Sequence, residues 1–297
     1  MQRLVRTACV IVLCLGLAPP AAAAVTITYA GSWGQVAGET GASDAEFVQM
    51  LLDRFEEENP GIRVEWTNSG DYAQKLAVMA AAGTGPDVAY IFHPWVYPFA
   101  ADGVFLDLRP LIARDAAEVR PDDFFPGTID RLTYEGQVYA LPTWMASSGV
   151  YYNEQIFNES GVAYPDGNWT WVDLVEKGKK LARVDADNRL VQFAFTPDGY
   201  NFNWSTGPMI WVWSNGGDLI SEDESRFLLG GSRARQALDF YYDVIFNQNI
   251  SVGPVEHQQQ SFWERFFHGT VAIWDSPSWN NTYLANVEFS WNVAPTL

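Results

Sequence analysis

The chain has 297 residues, 18 basic and 36 acidic, giving a formal charge of −18, and both of its cysteines, Cys9 and Cys14, fall within the first two dozen positions. So acidic a surface repels nucleic acid and anionic lipid, which excludes both as expected partners. With the N-terminal segment set aside, no cysteine remains for a disulfide, a thiolate nucleophile or a thiolate-ligated metal.

That segment is the first element. Arg3 and Arg6 form a positive start, Ala8 to Leu17 is an apolar run of about ten residues, and Pro19-Pro20 breaks it ahead of Ala22-Ala23-Ala24. This is the layout of a secretory signal peptide over residues 1–24, with cleavage expected near Ala24. The run falls short of the roughly 20 residues that span a bilayer, and Cys14 follows Leu13 rather than a small residue, so neither a membrane span nor a lipid anchor is expected. The exported remainder carries a charge of about −20 and all thirteen tryptophans. It is large enough to stand on its own core without cross-links.

Val25 to Tyr29 reads as a buried strand. Ser43-x-x-Glu46 is a capping box for a helix whose Phe47, Leu51 and Phe55 share a face with Val48 and Leu52. Asn59-Pro60-Gly61 ends that helix, and a strand from Ile62 to Trp66 follows. A second helix, capped by Asp71, is predicted over Tyr72–Ala82, then a third strand over Val88–Phe92. Strand, helix, strand, helix, strand at this spacing predicts parallel βαβ units. Near residue 137 the pattern changes to extended segments, Val138–Pro142 and Val150–Tyr152. A second helical series begins at the capping pair Thr170/Asp173, with Trp171, Val175, Gly178 and Ala182 aligned, and continues at Ser232, with Ala234, Leu238, Tyr241 and Ile245 aligned. A single helix from about Gln259 to His268 and a strand from Thr270 to Trp274 complete it, giving two α/β units joined by extended segments.

Three stretches together resemble a known family. The first is Gly83-Thr84-Gly85-Pro86-Asp87-Val88 with Gly103-Val104-Phe105-Leu106-Asp107-Leu108. The second is Tyr139-Ala140-Leu141-Pro142, then Tyr151-Tyr152-Asn153, Gly161-Val162 and Thr170-Trp171. The third is Gly269-Thr270-Val271-Ala272-Ile273, ending in Trp291-Asn292-Val293-Ala294-Pro295. In order and spacing these are similar to the extracellular solute-binding proteins of family 1, the sugar-capturing components of bacterial ABC importers, which include the maltose-binding protein. The resemblance implies a two-lobed periplasmic binding protein fold with crossover hinge strands. It implies an N-lobe over residues 25–145, a C-lobe over 146–290 and the start of a second crossing over 291–297. Family members run well beyond the last motif, so the resemblance also implies a C-terminally truncated chain whose N-lobe lacks its returning elements. It further implies a monomer that is free in the periplasm, captures a carbohydrate and delivers it to an ABC permease, with no cofactor and no metal.

A pyranose offers apolar C–H faces and a rim of hydroxyls, which call for flat aromatic surfaces and paired polar side chains. In open α/β sheets such groups sit on loops beyond the carboxyl ends of strands. That rule selects Ser32 and Trp33 after the first strand, His93 and Trp95 after the third, and Trp144 in the crossing segment. In the second unit it selects Trp204, Trp211, the turn Asn215-Gly216, and Asp275 and Trp279. Trp66, Trp169, Trp171, Trp263 and Trp291 are expected in the core instead, and Asp87 is expected to cap a strand entry. His93 has no His partner nearby that would make a metal site. An exported glycoside-active enzyme would need two carboxyls flanking one bond, whereas the acidic clusters Glu56-Glu57-Glu58 and Glu222-Asp223-Glu224 fit solvated helix faces and turns. No nucleophile elbow, H-E-x-x-H or P-loop appears. The expected class is a binding protein and not an enzyme; a sugar adhesin or sensor on the same fold is indistinguishable from a transport component by sequence.

Overall fold

A computed structural model describes residues 24–31, 44–68, 72–143, 145–200, 207–221 and 225–296. The described residues fall into two compact units, one ending at Pro142 and the other beginning at Thr143. Among them no helix is long and apolar enough to cross a membrane. The signal segment, the Ser43 and Asp71 caps and the candidates Ser32, Trp33, Trp144 and Trp204 lie outside the described residues.

In the first unit, β1 (Val25–Gly31) is the middle strand of a three-stranded parallel sheet, between β2 (Ile62–Asn68) and β3 (Val88–Ala89). Helices α1 (Asp44–Glu58) and α2 (Tyr72–Ala81) make the crossovers. The β3 entry is fixed by Asp87, whose Oδ2 accepts hydrogen bonds from the Thr28 backbone N–H at 2.8 Å and from Thr28 Oγ1 at 2.7 Å. Those bonds hold the Asp87 carboxyl below its ordinary pKa. The third strand is shorter than predicted, because the chain turns into a single 3-10 turn at His93–Trp95 with Pro94 inside it. A small core of Ala30, Tyr72, Leu76 and Phe99 follows from so narrow a sheet. It covers little of α1: Val48 is buried, but Phe47, Leu51 and Phe55 of the predicted apolar face are exposed. The unit continues through α3 (Val96–Ala101), α4 (Arg109–Arg114) and α5 (Ala116–Val119) to a hairpin of β4 (Thr133–Tyr134) and β5 (Gln137–Val138).

The second unit is built on a five-stranded mixed sheet. Its strands are β6 (Ser148–Asn153), β7 (Arg183–Val184), β8 (Leu190–Thr196), β9 (Val271–Pro277) and β10 (Trp291–Ala294), in the order β10-β6-β9-β8-β7. The pair β8 and β9 is parallel, while β6 runs antiparallel to both β9 and β10. Helix α6 (Glu154–Ser160) is capped by the Asn153 side chain, which accepts from the Ile156 N–H. The Thr170/Asp173 capping box opens α7 (Trp171–Leu181), whose buried stripe is Leu174, Gly178 and Leu181. Helices α8 (Pro208–Ser214) and α9 (Ser232–Phe246) follow. The predicted single helix over 259–268 is two: α10 (Pro254–Gln259) and α11 (Phe262–Phe267). Gln260 is extended between them, because Ser261 and Glu264 form a fresh capping box that starts α11 anew. Helix α12 (Asn281–Leu284) precedes β10. Trp169 is buried as expected and its indole N–H donates to Pro295 O at 3.0 Å, whereas Trp263, also expected in the core, lies 47% exposed on α11.

The core of this unit joins β6, β8 and β9 to α7, α8 and α9. Gly217 lets α8 approach α9. A Cβ there would stand 2.9 Å from the Ala234 backbone nitrogen and 3.1 Å from its Cα, atoms that move only with the helix. We expect Gly217→Ala to lower unfolding stability by about 1–3 kcal/mol, the usual range for overpacking. Urea denaturation followed by circular dichroism checks it; an unchanged midpoint would mean that α9 shifts freely.

Candidate functional site

The carboxyl ends of β8 and β9 lie at one edge of the second unit's sheet, where Thr196 pairs with Trp274 and Pro277 with Ser148. The start of β6 and the end of β10 share that edge, since Ala294 pairs with Val150. The segments before Ser148 and after Ala294 therefore leave from the edge at which an open α/β sheet offers its ligand loops.

Two predicted residues meet there. Trp211, on α8, donates its indole N–H to Asp275 Oδ2 on β9 at 3.0 Å. The Trp211 ring sits among Trp171, Phe195, Phe240 and Tyr241, at centroid separations of 5.4–5.9 Å. Both partners are buried, Trp211 at 3% and Asp275 at 2% exposure. No ion pair to Asp275 exists among the described residues, and its Oδ1 has no hydrogen-bond partner. Burial, reinforced by the negative charge of Asp198, pushes the Asp275 carboxyl up to about 7 against the pull of the Trp211 N–H. Tyr241 is buried beside this group and donates its hydroxyl to Gly199 O. Burial and the charge of Asp275 hold that phenol well above its ordinary pKa. Thr196 Oγ1, at the end of β8, is fully buried and has no partner either. Val150, Ile210, Trp211, Ser214, Asp275 and Thr296 line a small cleft.

The loop beyond β9 holds Trp279 in a 3-10 turn, Ser278–Asn280, with its ring 40% exposed. The crossing segment is tied to this turn: the Ser278 N–H donates to Ser147 O at 2.8 Å, and the Ser147 N–H to Ser278 Oγ at 3.1 Å. Asn280 reaches back to Ser276 Oγ at 2.8 Å. Asn215 and Gly216 lie at the far end of α8. The Asn215 amide donates to Arg233 O at 2.8 Å and Gln236 Oε1 at 3.1 Å, while Gly216 takes the left-handed turn at φ +67°. That places both at the α8–α9 junction.

In the first unit, His93 and Trp95 share the 3-10 turn after β3. Desolvation and the nearby Arg131 charge lower the His93 pKa, and Trp95 is 45% exposed with its ring 6.3 Å from Phe99. Sequence reasoning missed Asp198, Thr196, Tyr241 and Ser278. The same strand-end rule would have found Thr196, the last residue of β8, and Asp198 just beyond it; Tyr241 looked like an ordinary core position of α9. Among the described residues no group of three His, Cys, Asp or Glu could hold a metal ion.

The chain belongs to a family of bacterial extracellular solute-binding proteins, whose model matches residues 37–295. A mannitol-binding protein of Pseudomonas aeruginosa is 26% identical over 272 residues, covering 90% of this chain and 58% of the relative. An arabinooligosaccharide-binding protein of Halalkalibacterium halodurans is 27% identical over 207 residues, 69% of this chain and 43% of the relative. The chain thus spans about half the length of these curated relatives. The structure is similar to an ABC substrate-binding protein of Listeria monocytogenes in complex with cycloalternan, at a TM-score of 0.74 and 24% identity, over 91% of this chain and 66% of that one. The fold is therefore the α/β one of the two-lobed periplasmic binding proteins.

Proposed function

We propose that this chain is the extracytoplasmic solute-binding component of an ABC importer and captures a carbohydrate, either a mono- or oligosaccharide or a polyol. The observation that carries the reading is the pair at the carboxyl end of β9, a buried carboxyl with a free oxygen and a tryptophan holding its other oxygen, followed by the turn that carries the exposed Trp279 ring. Sugars are recognised by such pairings of aromatic surface and polar rim. Family membership and the names of the mannitol- and arabinooligosaccharide-binding relatives support it.

In this reading the ligand lies between an N-lobe over residues 25–145 and a C-lobe over 146–290, and residues 291–297 begin the second crossing. His93 and Trp95 contribute from one lobe, Trp211, Asp275 and Trp279 from the other, and Asn215 and Gly216 keep α8 in place. Ser32, Trp33, Trp144 and Trp204 complete the set on the strand-end rule. Ligand bridging the lobes shifts an open–closed equilibrium about the crossings, and a membrane permease recognises the closed form. The protein works as a periplasmic monomer after cleavage near Ala24, catalyses no reaction and needs no cofactor.

The test is a titration of the exported protein with mono-, di- and oligosaccharides and polyols, read by tryptophan fluorescence. At least one should give a saturable change, and Trp279→Ala should weaken its binding about tenfold, the loss of one aromatic contact. Silence toward every compound, or product formation from any of them, would overturn the reading.

A further inference from the structure

Asp275 is an unusual group to bury. It lies at the base of the cleft lined by Val150, Ile210, Trp211, Ser214 and Thr296, with one oxygen held by the Trp211 N–H and the other unbonded. Hydrogen bonds and ion pairs normally compensate buried charge, and an uncompensated carboxylate is expensive. Among the described residues the compensation is one neutral donor, the Trp211 N–H, and the charge on Asp198 that acts on the carboxyl is of the same sign. No Lys, Arg or His pairs with Asp275 among the described residues. The Tyr241 hydroxyl, which could have donated, is spent on Gly199 O. Tyr200 is likewise committed, to Val252 O at 3.0 Å, and Tyr242 to Tyr200 O at 3.1 Å. The fold leaves this carboxyl short of one positive donor, next to an opening through which a ligand can supply it.

We propose that this cleft takes a carbohydrate bearing a protonated amine, with the ammonium group bonding the free Asp275 oxygen. The proposal rests on the carbohydrate reading above and narrows it to one substrate class. A neutral hydroxyl would bond the same oxygen but leave the buried negative charge unbalanced. An ammonium does both, through a charge-assisted bond in a poorly solvated place. The cleft has room for about one water-sized group, which suits a single ammonium substituent of a ligand and not a whole sugar. Burial raises the carboxyl's pKa toward neutrality, so capture of the ammonium favours the charged form and releases a proton.

Calorimetric titration of the exported protein with matched pairs tests this: glucose against glucosamine and mannose against mannosamine, with N-acetylglucosamine as the charge-free control. For at least one pair the amine should bind about tenfold more tightly than its neutral partner, and acetylation should remove the advantage. Binding heats near pH 7 should change with the ionisation heat of the buffer, as proton release requires. Asp275→Asn should abolish the preference; should that variant fold poorly, Asp198→Asn, at a less buried position, should lower the Asp275 pKa and so shrink the proton release while the amine preference stays. A neutral sugar that binds as well as or better than its amine overturns the proposal and leaves sugar capture standing. No binding by any member of the panel overturns the proposal, and a fluorescence titration that is silent across all sugars and polyols removes the capture reading with it.

Discussion

Trp211→Ala should be strongly destabilising to the second unit. The ring is 3% exposed and packs against Trp171, Phe195, Phe240 and Tyr241, so truncation leaves a cavity between α7, α8, α9 and β8. Aromatic truncations at such sites cost about 3–5 kcal/mol. The Asp275 carboxyl would also lose the Trp211 N–H, its hydrogen-bond donor among the described residues, which adds roughly 1–3 kcal/mol for an orphaned buried group. Trp211→Phe separates the contributions: most ring contacts survive, the N–H is lost, and we expect a loss of about 1–3 kcal/mol. Urea unfolding followed by far-ultraviolet circular dichroism measures both, with midpoints shifting while slopes stay constant. A loss below about 1 kcal/mol for Trp211→Ala would mean that the ring is not buried in solution and that α8 does not pack as described.

How far the sequence could be read depends on what each signal reports. Capping boxes and hydrophobic period are local, so α7 and α9 fall close to where Thr170/Asp173 and the Ala234–Tyr241–Ile245 spacing predict them. Asp87 could be read because its partner Thr28 follows from pairing the first and third strands. Burial is not local. The Phe47–Leu51–Phe55 stripe is as periodic as that of α9 yet stays exposed, because a three-stranded sheet with a two-residue edge strand offers it little surface. The break between α10 and α11 was written in Ser261-x-x-Glu264, a capping box hidden inside a continuous helical pattern.

The site divides along the same line. The strand-end rule selected Asp275 and Trp279 as loop residues; Trp279 does lie in the turn beyond β9, but β9 runs on through Asp275 to Pro277, three residues past the predicted end at Trp274. It could not show that Asp275 would be almost fully buried with a tryptophan N–H on one oxygen, which depends on α8 folding back over the sheet edge. Asn215 and Gly216 were chosen as loop residues at a turn, and their hydrogen bonds and backbone angles are those of a helix junction. Loop chemistry alone does not separate a ligand contact from a structural cap.

The second large effect is on pH dependence. A carboxyl whose pKa rises from 3.8 in the unfolded chain to about 7 in the fold keeps its proton in the native state after the unfolded chain has lost it. Between those values the native state binds more protons, so stability falls as pH rises. The contribution is fully present below about pH 4 and gone above about pH 7. At 1.36 kcal/mol per pH unit this group alone weakens the fold by roughly 4 kcal/mol across the window. The carboxyls held below their ordinary pKa, such as Asp87, Asp107 and Asp173, act in the opposite direction but only below about pH 4, so the windows barely overlap. Asp275→Asn has no proton to exchange, so the difference in unfolding free energy between it and the parent protein should slope with pH from about 4 to 7 and flatten beyond. Urea titrations at half-unit pH steps measure that difference without modelling any other group. Trp211→Phe, lacking the donor that pulls the Asp275 pKa down, should extend the slope to higher pH. A difference curve that is flat across the whole range would mean that Asp275 is ionised and solvated in the native protein, and the uncompensated buried carboxyl on which amine recognition depends would not exist.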